Sequence, residues 1–167
     1  MDFNFISSAF SDVPCIFLYR DPVEVLASHQ TLRGSFMVPG LIEPGWFGLN
    51  SEWIKSISLD EYGAAVLNKI YEAGLDVVSN GNALGVNYRQ LPHFIWTDLK
   101  HFFHLKFTEE ELNKIKEISK YYSKNPGIKF SDMLEYENRT ASQHHERLIE
   151  KYVNPIFNKL EAVRKSL

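Results

Sequence analysis

The sequence predicts an α/β fold built on a small parallel sheet. Three observations carry that expectation. Two short apolar segments, Val13–Tyr19 and Ala83–Tyr88, lie between turn-forming residues and have the length of buried strands. Each runs directly into a helix start, through Arg20-Asp21-Pro22 in one case and Arg89-Gln90-Leu91-Pro92 in the other. Strand-like and helix-like segments alternate along the chain, the order that argues for an α/β layer architecture with a parallel sheet.

The elements follow in order. Asp2–Phe10 reads as a short helix, or the end of one. Val13–Tyr19 is continuously apolar, which predicts a strand buried on both faces. Asp21 can cap the next helix, Pro22 suits its first position and Glu24 falls in its first turn. That helix is expected to run to about Leu32, with Val23, Leu26 and Ala27 on one face. Residues 34–57 mix glycines and prolines with Phe36, Met37, Trp46, Phe47 and Trp53. So long an irregular segment is a lid or binding loop, or a strap tacked onto the core by its aromatics.

Ser58-Leu59-Asp60-Glu61 is a capping box. The helix behind it places Tyr62, Val66, Ile70 and Val77 near helical spacing and ends at Asn80-Gly81. Ala83–Tyr88 supplies the second strand, and Pro92–His104 a further helix. Thr108-Glu109-Glu110-Glu111 opens another helix, with Leu112, Ile115 and Ile118 inward. Asn125-Pro126-Gly127 reads as a turn, and residues 141–163 as mostly helical, divided or kinked at Pro155. The sheet is therefore incomplete, about two strands flanked by a mostly helical C-terminal half. A buried strand needs neighbours on both edges, so an unpaired edge open to self-association is expected.

Composition narrows the function classes. The chain has 167 residues, 44% of them hydrophobic and 14% aromatic, enough for one well-buried domain. A net charge of −3 gives no electrostatic case for nucleic acid. The single cysteine, Cys15, excludes a Cys-rich zinc site within this sequence. His101 and His104 lack a clear third metal ligand, and adjacent His144 and His145 point about 100° apart on a helix, the expected place for them being a solvated face. No metal is expected. No apolar run is long enough to span a bilayer and no signal peptide is read at the start, so a cytoplasmic compartment is the expectation.

The chemistry concentrates at Arg20. A strand delivers it to the edge where α/β folds place ligands. The following helix N-terminus favours anions, and Ser28 lies two turns further along with a hydroxyl to donate. An arginine fork with a hydroxyl suits a phosphate. The alternative is that Arg20 pairs with an acid and Ser28 is merely a small helix residue. His29 and Arg33 are further candidates near the loop, as a base and an anion contact respectively.

At these residues the sequence resembles the sulfotransferase family. Arg20-Asp21-Pro22, then Val25-Leu26, then Ser28 is similar to that family's strand–helix for the 3′-phosphate of PAPS, 3′-phosphoadenosine 5′-phosphosulfate. Gly85-Val86-Asn87-Tyr88-Arg89-Gln90-Leu91-Pro92, followed by Phe102-Phe103 and Phe107-Thr108-Glu109-Glu110-Glu111-Leu112, is similar to its later strand and helices. The resemblance spans roughly Asp12 to Lys124. It implies a P-loop-NTPase-like sulfotransferase fold with PAPS as co-substrate. Arg20 and Ser28 would hold the 3′-phosphate and Tyr88 would lie near the adenine. Lys129 and Arg139, in the region of the family's basic C-terminal loop, are further phosphate candidates, although that loop's Gly-rich pattern is missing.

The sequence also departs from the family. No Lys-Ser/Thr-Gly-Ser/Thr turn occurs in it, and such a turn would cradle the 5′-phosphosulfate. The expectation is a single domain over residues 1–167, truncated on its N-terminal side and short for its fold. The intact form would transfer a sulfuryl group to a hydroxyl or amine, on a small-molecule or saccharide acceptor that the sequence does not identify. The catalytic base is likewise unidentified. This chain would retain the 3′-phosphate half-site and be inactive alone. The other reading is a non-catalytic remnant or nucleotide-binding module of the same fold.

Overall fold

A computed structural model describes residues 9–10, 12–122, 125–129 and 142–166 of the chain. The expected helix over residues 2–10 and the candidate Arg139 lie largely or wholly outside them. The architecture is mixed α/β and mostly helical, with a two-stranded parallel sheet.

Strand β1, Ile16–Tyr19, is followed by helix α1, Pro22–Thr31. Asp21 caps α1 by accepting from the Val23 amide at 3.0 Å. A short helix α2, Ser51–Lys55, precedes the long helix α3, Leu59–Ser79. Strand β2, Leu84–Asn87, then pairs with β1 in register, Ile16 against Leu84 and Tyr19 against Asn87. Both expected strands are therefore present and parallel.

The expected burial of β1 on both faces is not found. Phe17 and Tyr19 pack inward, whereas Ile16 is 38% and Leu18 48% exposed. Among the described residues, helices cover one face of β1 and no third strand joins its edge.

Helix α3 is the centre of the core. Tyr62, Val66, Leu67, Tyr71, Val77 and Val78 on it are all buried. It packs against α1, against α6 (Gln143–Tyr152) and against α7 (Asn154–Ser166). The C-terminal helical stretch divides at Val153, one residue before the Asn154-Pro155 start, as the proline requires. Ser58 caps α3 through the Glu61 amide at 3.1 Å. Glu61 does not complete the expected capping box. Its carboxylate is taken by Tyr152 and Lys151 on α6 instead.

His145 also departs from expectation. It is buried, with Leu148 and Ile149 on the inward face of α6. The polar start of α3 makes that burial tolerable. Nε2 of His145 is 3.3 Å from Asp60, and Nδ1 meets Gln30 and Ser142 at 3.1 and 3.2 Å. Asp60 also pairs with Arg33 at 2.7 Å, tying the end of α1 to the start of α3.

The segment over residues 34–57 folds into short helical turns at Ser35–Met37, Pro44–Phe47 and α2. Met37 and Ile54 are buried, and Phe36, Phe47, Leu49 and Trp53 pack on the core. The aromatics thus fasten the segment, while Leu41 and Trp46 stay exposed.

Beyond β2, the stretch expected as one helix over Pro92–His104 is irregular. A widened turn covers Ile95–Leu99, and α4 is only Lys100–Phe102. The Thr97 hydroxyl donates to the His93 carbonyl at 3.2 Å, the acceptor that a regular helix would give to the Thr97 amide. Helix α5, Glu109–Ile118, has the complete capping box expected from Thr108 and Glu111. Its Ile118, expected inward, is 63% exposed. Asn125-Pro126-Gly127 is no isolated turn. It lies in β4, Asn125–Lys129, paired antiparallel with β3, Tyr121–Tyr122, through an irregular register that absorbs extra backbone.

Two predictions follow from this core. A Cβ on Gly74 would sit 2.1 Å from the Phe17 ring. Alanine gains about 1 kcal/mol of helix propensity over glycine, but overpacking costs about 1–3 kcal/mol, and the clash here is severe. Gly74→Ala should therefore lower the thermal midpoint; an unchanged or raised midpoint in calorimetry would refute the close approach. The Tyr62 hydroxyl is buried and has no hydrogen-bond partner among the described residues. Removing an unsatisfied polar group recovers roughly 1 kcal/mol, so Tyr62→Phe should stabilise the protein in urea titration.

Candidate functional site

The two parallel strands end together, at Tyr19 and Asn87. The residues that follow, Arg20 and Tyr88, therefore leave the sheet at one edge. The Arg20 guanidinium lies over the Tyr88 ring, 4.5 Å from its centroid. The structure thus brings two of the expected site residues into direct contact. Tyr88 begins a tight turn that Asn87 caps, its side-chain oxygen accepting from the Arg89 amide at 3.0 Å. The Arg20 carbonyl accepts from the buried Tyr71 hydroxyl on α3.

A charge cluster surrounds this pair. Arg20 Nε donates to Glu24, one turn into α1. Arg89 Nη2 donates to the other oxygen of Glu24 at 3.0 Å and to Asp21 at 3.2 Å. Burial alone would raise the Glu24 pKa, but the hydrogen bonds from Arg20 and Arg89 outweigh it and hold the carboxyl below its usual range. The Glu24 hydrogen bond raises Arg89 in turn. Glu24 and Arg89 are the members of the site that sequence reading passed over. Glu24 and Ser28, four residues apart, share a face of α1, and the acid one turn into a helix that follows an arginine was the available signal. Arg89 directly follows Tyr88, but nothing local says that it turns back towards Asp21.

Ser28 is exposed on α1, one turn beyond Glu24. An anion bridging Arg20 and Ser28 would thus lie over Glu24. His29 is committed elsewhere, as its Nδ1 accepts from the Gly34 amide at 3.1 Å. Burial, followed by the Arg33 charge, lowers the His29 pKa, so it is neutral near pH 7. Lys129 belongs to β4. Among the described residues no group of three or more His, Cys, Asp or Glu side chains is arranged to hold a metal ion.

A second cluster braces the strand ends from below. Glu161 on α7 accepts from the Tyr19 hydroxyl, from Asn87 Nδ2 at 2.9 Å and from Arg164 at 2.8 and 3.1 Å. Burial pushes the Glu161 pKa up, yet Arg164, Tyr19 and Asn87 together bring it down to about 2. Burial, reinforced by Glu161, drives the Tyr19 phenol well above its usual value.

No protein-family model, curated protein or solved structure matches this chain. No helix among the described residues is long and apolar enough to cross a membrane.

The Glu161 cluster sets a pH dependence. A carboxyl whose folded pKa is below its unfolded value, about 4.3, stabilises the fold above that unfolded value. The contribution disappears as pH falls towards 2. Glu161→Gln should therefore destabilise the protein at pH 7, on the order of 2 kcal/mol. It should also flatten the acid limb of stability between about pH 4 and 2. Chemical denaturation across pH checks both, and parallel acid limbs for the two proteins would contradict the assignment.

Proposed function

We propose that the strand-end site around Arg20 binds the 3′-phosphate of a phosphoadenosine nucleotide, as the sulfotransferase resemblance implies. The observation that carries the reading is the Arg20–Tyr88 stack at the shared edge of two parallel strands. It presents a planar, oriented guanidinium at the mouth of α1, with an aromatic face beside it. An arginine fork prefers bidentate phosphate or carboxylate partners. Ser28 adds a donor further along the helix, and Tyr88 an aromatic surface for a base.

Binding, and not catalysis, is what the residues present support. Sulfuryl transfer needs charge stabilisation at the reacting group itself, from donors that a Lys-Ser/Thr-Gly-Ser/Thr turn supplies. The sequence contains no such turn. In an intact sulfotransferase the acceptor would be a hydroxyl or amine. The second reading, a non-catalytic nucleotide-binding module of the same fold, is favoured by the charge pairing itself. Glu24 and Asp21 already engage Arg20 and Arg89, which suits modest and reversible anion binding.

Calorimetric titration with 3′-phosphoadenosine 5′-phosphate tests the site. Saturable binding should weaken at least about tenfold in Arg20→Ala, and fall with added salt. Glu24→Gln removes the competing carboxylate and should tighten binding. Absence of heat at millimolar nucleotide, or equal affinity in Arg20→Ala, would refute the proposal. Robust sulfuryl transfer by this chain would refute the division between binding and catalysis.

A further inference from the structure

At the opposite end of α1 from Arg20, three polar side chains meet around one buried imidazole. His145 on α6 is 2% exposed. Its Nε2 lies 3.3 Å from Asp60 at the start of α3. Its Nδ1 lies 3.2 Å from the hydroxyl of Ser142, which is exposed and caps α6. Gln30, near the end of α1, approaches the same nitrogen through its Nε2 at 3.1 Å. The charged groups about the ring are Asp60 and its partner Arg33. The exposed ring of His144 lies 5.9 Å away, centroid to centroid.

Acceptor chemistry fixes the tautomer. Burial alone would raise the Asp60 pKa, but the hydrogen bond from Arg33 outweighs it and the carboxyl stays below its usual range. Asp60 is therefore ionised near pH 7, and an ionised carboxylate can only accept. His145 Nε2 carries the hydrogen towards it, and in the neutral ring Nδ1 is then an open lone pair. That lone pair faces the two donors present, the Ser142 hydroxyl and the Gln30 amide. A base is thus buried, oriented from behind by an acid, and turned towards an exposed hydroxyl.

Capping alone does not account for this arrangement. Ser142 caps α6 by accepting from the His145 amide at 3.4 Å, which leaves its own hydrogen to donate. Nothing in capping requires a buried imidazole in the first turn, or a carboxylate on its far nitrogen. The helix start also supplies backbone donors. The first amides of a helix have no acceptor within it. With the His145 amide engaged, those of Gln143 and His144 directly follow Ser142, at the positive end of the helix dipole.

We propose that Ser142, His145 and Asp60 form a nucleophile–base–acid triad for acyl transfer from small carboxylic esters to water. His145 Nδ1 takes the hydroxyl proton as Ser142 Oγ bonds to the ester carbonyl carbon. The ester C–O bond then breaks, and His145 gives that proton to the departing alcohol. Water attacks the acyl-serine, losing a proton to the same nitrogen. The acyl–Oγ bond breaks, the carboxylic acid leaves and the proton returns to Ser142. The Gln143 and His144 amides stabilise the oxyanion of each tetrahedral intermediate. Asp60 touches no reacting atom and is a positioning residue, holding the imidazole in one tautomer and stabilising the imidazolium. Such a triad is recognised by geometry and roles, not by chain order. It uses none of the residues assigned to the nucleotide.

The test treats the full chain with diisopropyl fluorophosphate, which phosphorylates an activated serine with loss of fluoride, and locates the adduct by peptide mass spectrometry. One adduct is expected, on Ser142, with hydrolysis of p-nitrophenyl acetate lost in step. Ser142→Asn keeps a good helix cap and should abolish both. His145→Gln should slow labelling about 100-fold or more. The labelling rate should rise with pH along the titration of His145 followed by NMR. Asp60→Asn should displace that pH profile, which a loss of packing alone would not do. Should His145→Gln fail to fold, the pH profile and Ser142→Asn still decide. A folded chain that takes no label, an adduct on another residue, undiminished labelling of His145→Gln, or a rate that ignores the His145 titration would overturn the proposal.

Discussion

Glu161 stands in the last helix, yet its carboxylate holds the ends of both parallel strands. It accepts from Tyr19 at the end of β1 and from Asn87 at the end of β2, while Arg164 supplies the compensating charge. The residues next in sequence are Arg20 and Tyr88, the two that stack at the candidate site. Their 4.5 Å contact therefore inherits its geometry from a carboxylate that touches neither. Tyr19 is also buried among the rings of Tyr71 and Phe157, and Tyr71 in turn fixes the Arg20 carbonyl. Losing Glu161 would leave Arg164 and two polar strand-end groups without their acceptor, which is costlier than the mean worth of a hydrogen bond. Among the described residues the sheet has two four-residue strands and few bonds of its own, so this brace weighs heavily.

A second constraint acts between sheet and helix. Phe17 lies against α3 where Gly74 offers no side chain. Glycine in a helix interior is unfavourable by about 1 kcal/mol, and the ring contact outweighs that cost. On the other side, Gly85 of β2 brings the backbone close to Val78. The long helix is thus drawn down onto both strands. A cavity beside Phe17 lies against α3, with Trp46 and Phe47 on its far wall.

Local signals in the sequence predicted local structure well. Asp21-Pro22 and Ser58 mark helix starts, Thr108 with Glu111 forms its capping box, and Asn154-Pro155 divides the last two helices, as each motif's hydrogen bonding dictates. That Val13–Tyr19 and Ala83–Tyr88 belong to a parallel sheet was legible from alternating strand-like and helix-like segments, while their direct pairing was not. Face assignment was less so. A continuous apolar run says that both faces of β1 suit burial, not that both are covered, and Ile16 and Leu18 show the difference. His145 misled because adjacent histidines on a polar helix suggest solvent, while its partners Gln30 and Asp60 are distant in sequence. The same reason hid Glu161, 142 residues from Tyr19. Of the candidate site, Arg20 and Ser28 stood out by position and Tyr88 through the family resemblance, but the carboxylate that competes for Arg20 read only as a favourable first-turn acid.

That competing carboxylate need not close the proposed site to anions. Glu24 is shared: one oxygen meets Arg20 and the other meets Arg89. If a phosphate takes the Arg20 fork, Glu24 keeps its Arg89 partner and is not left as a stranded half-buried charge, the outcome that makes breaking a buried pair expensive. The exchange gives up the charge-assisted hydrogen bond to Glu24, while phosphate can meet an arginine fork bidentately. The Tyr88 ring and Glu24 together hold the guanidinium in one orientation before any ligand arrives, so little side-chain entropy remains to be lost on binding. Anion affinity at such a site is a difference between two similar interactions, and a difference of that kind is tuned by Glu24 as much as by Arg20.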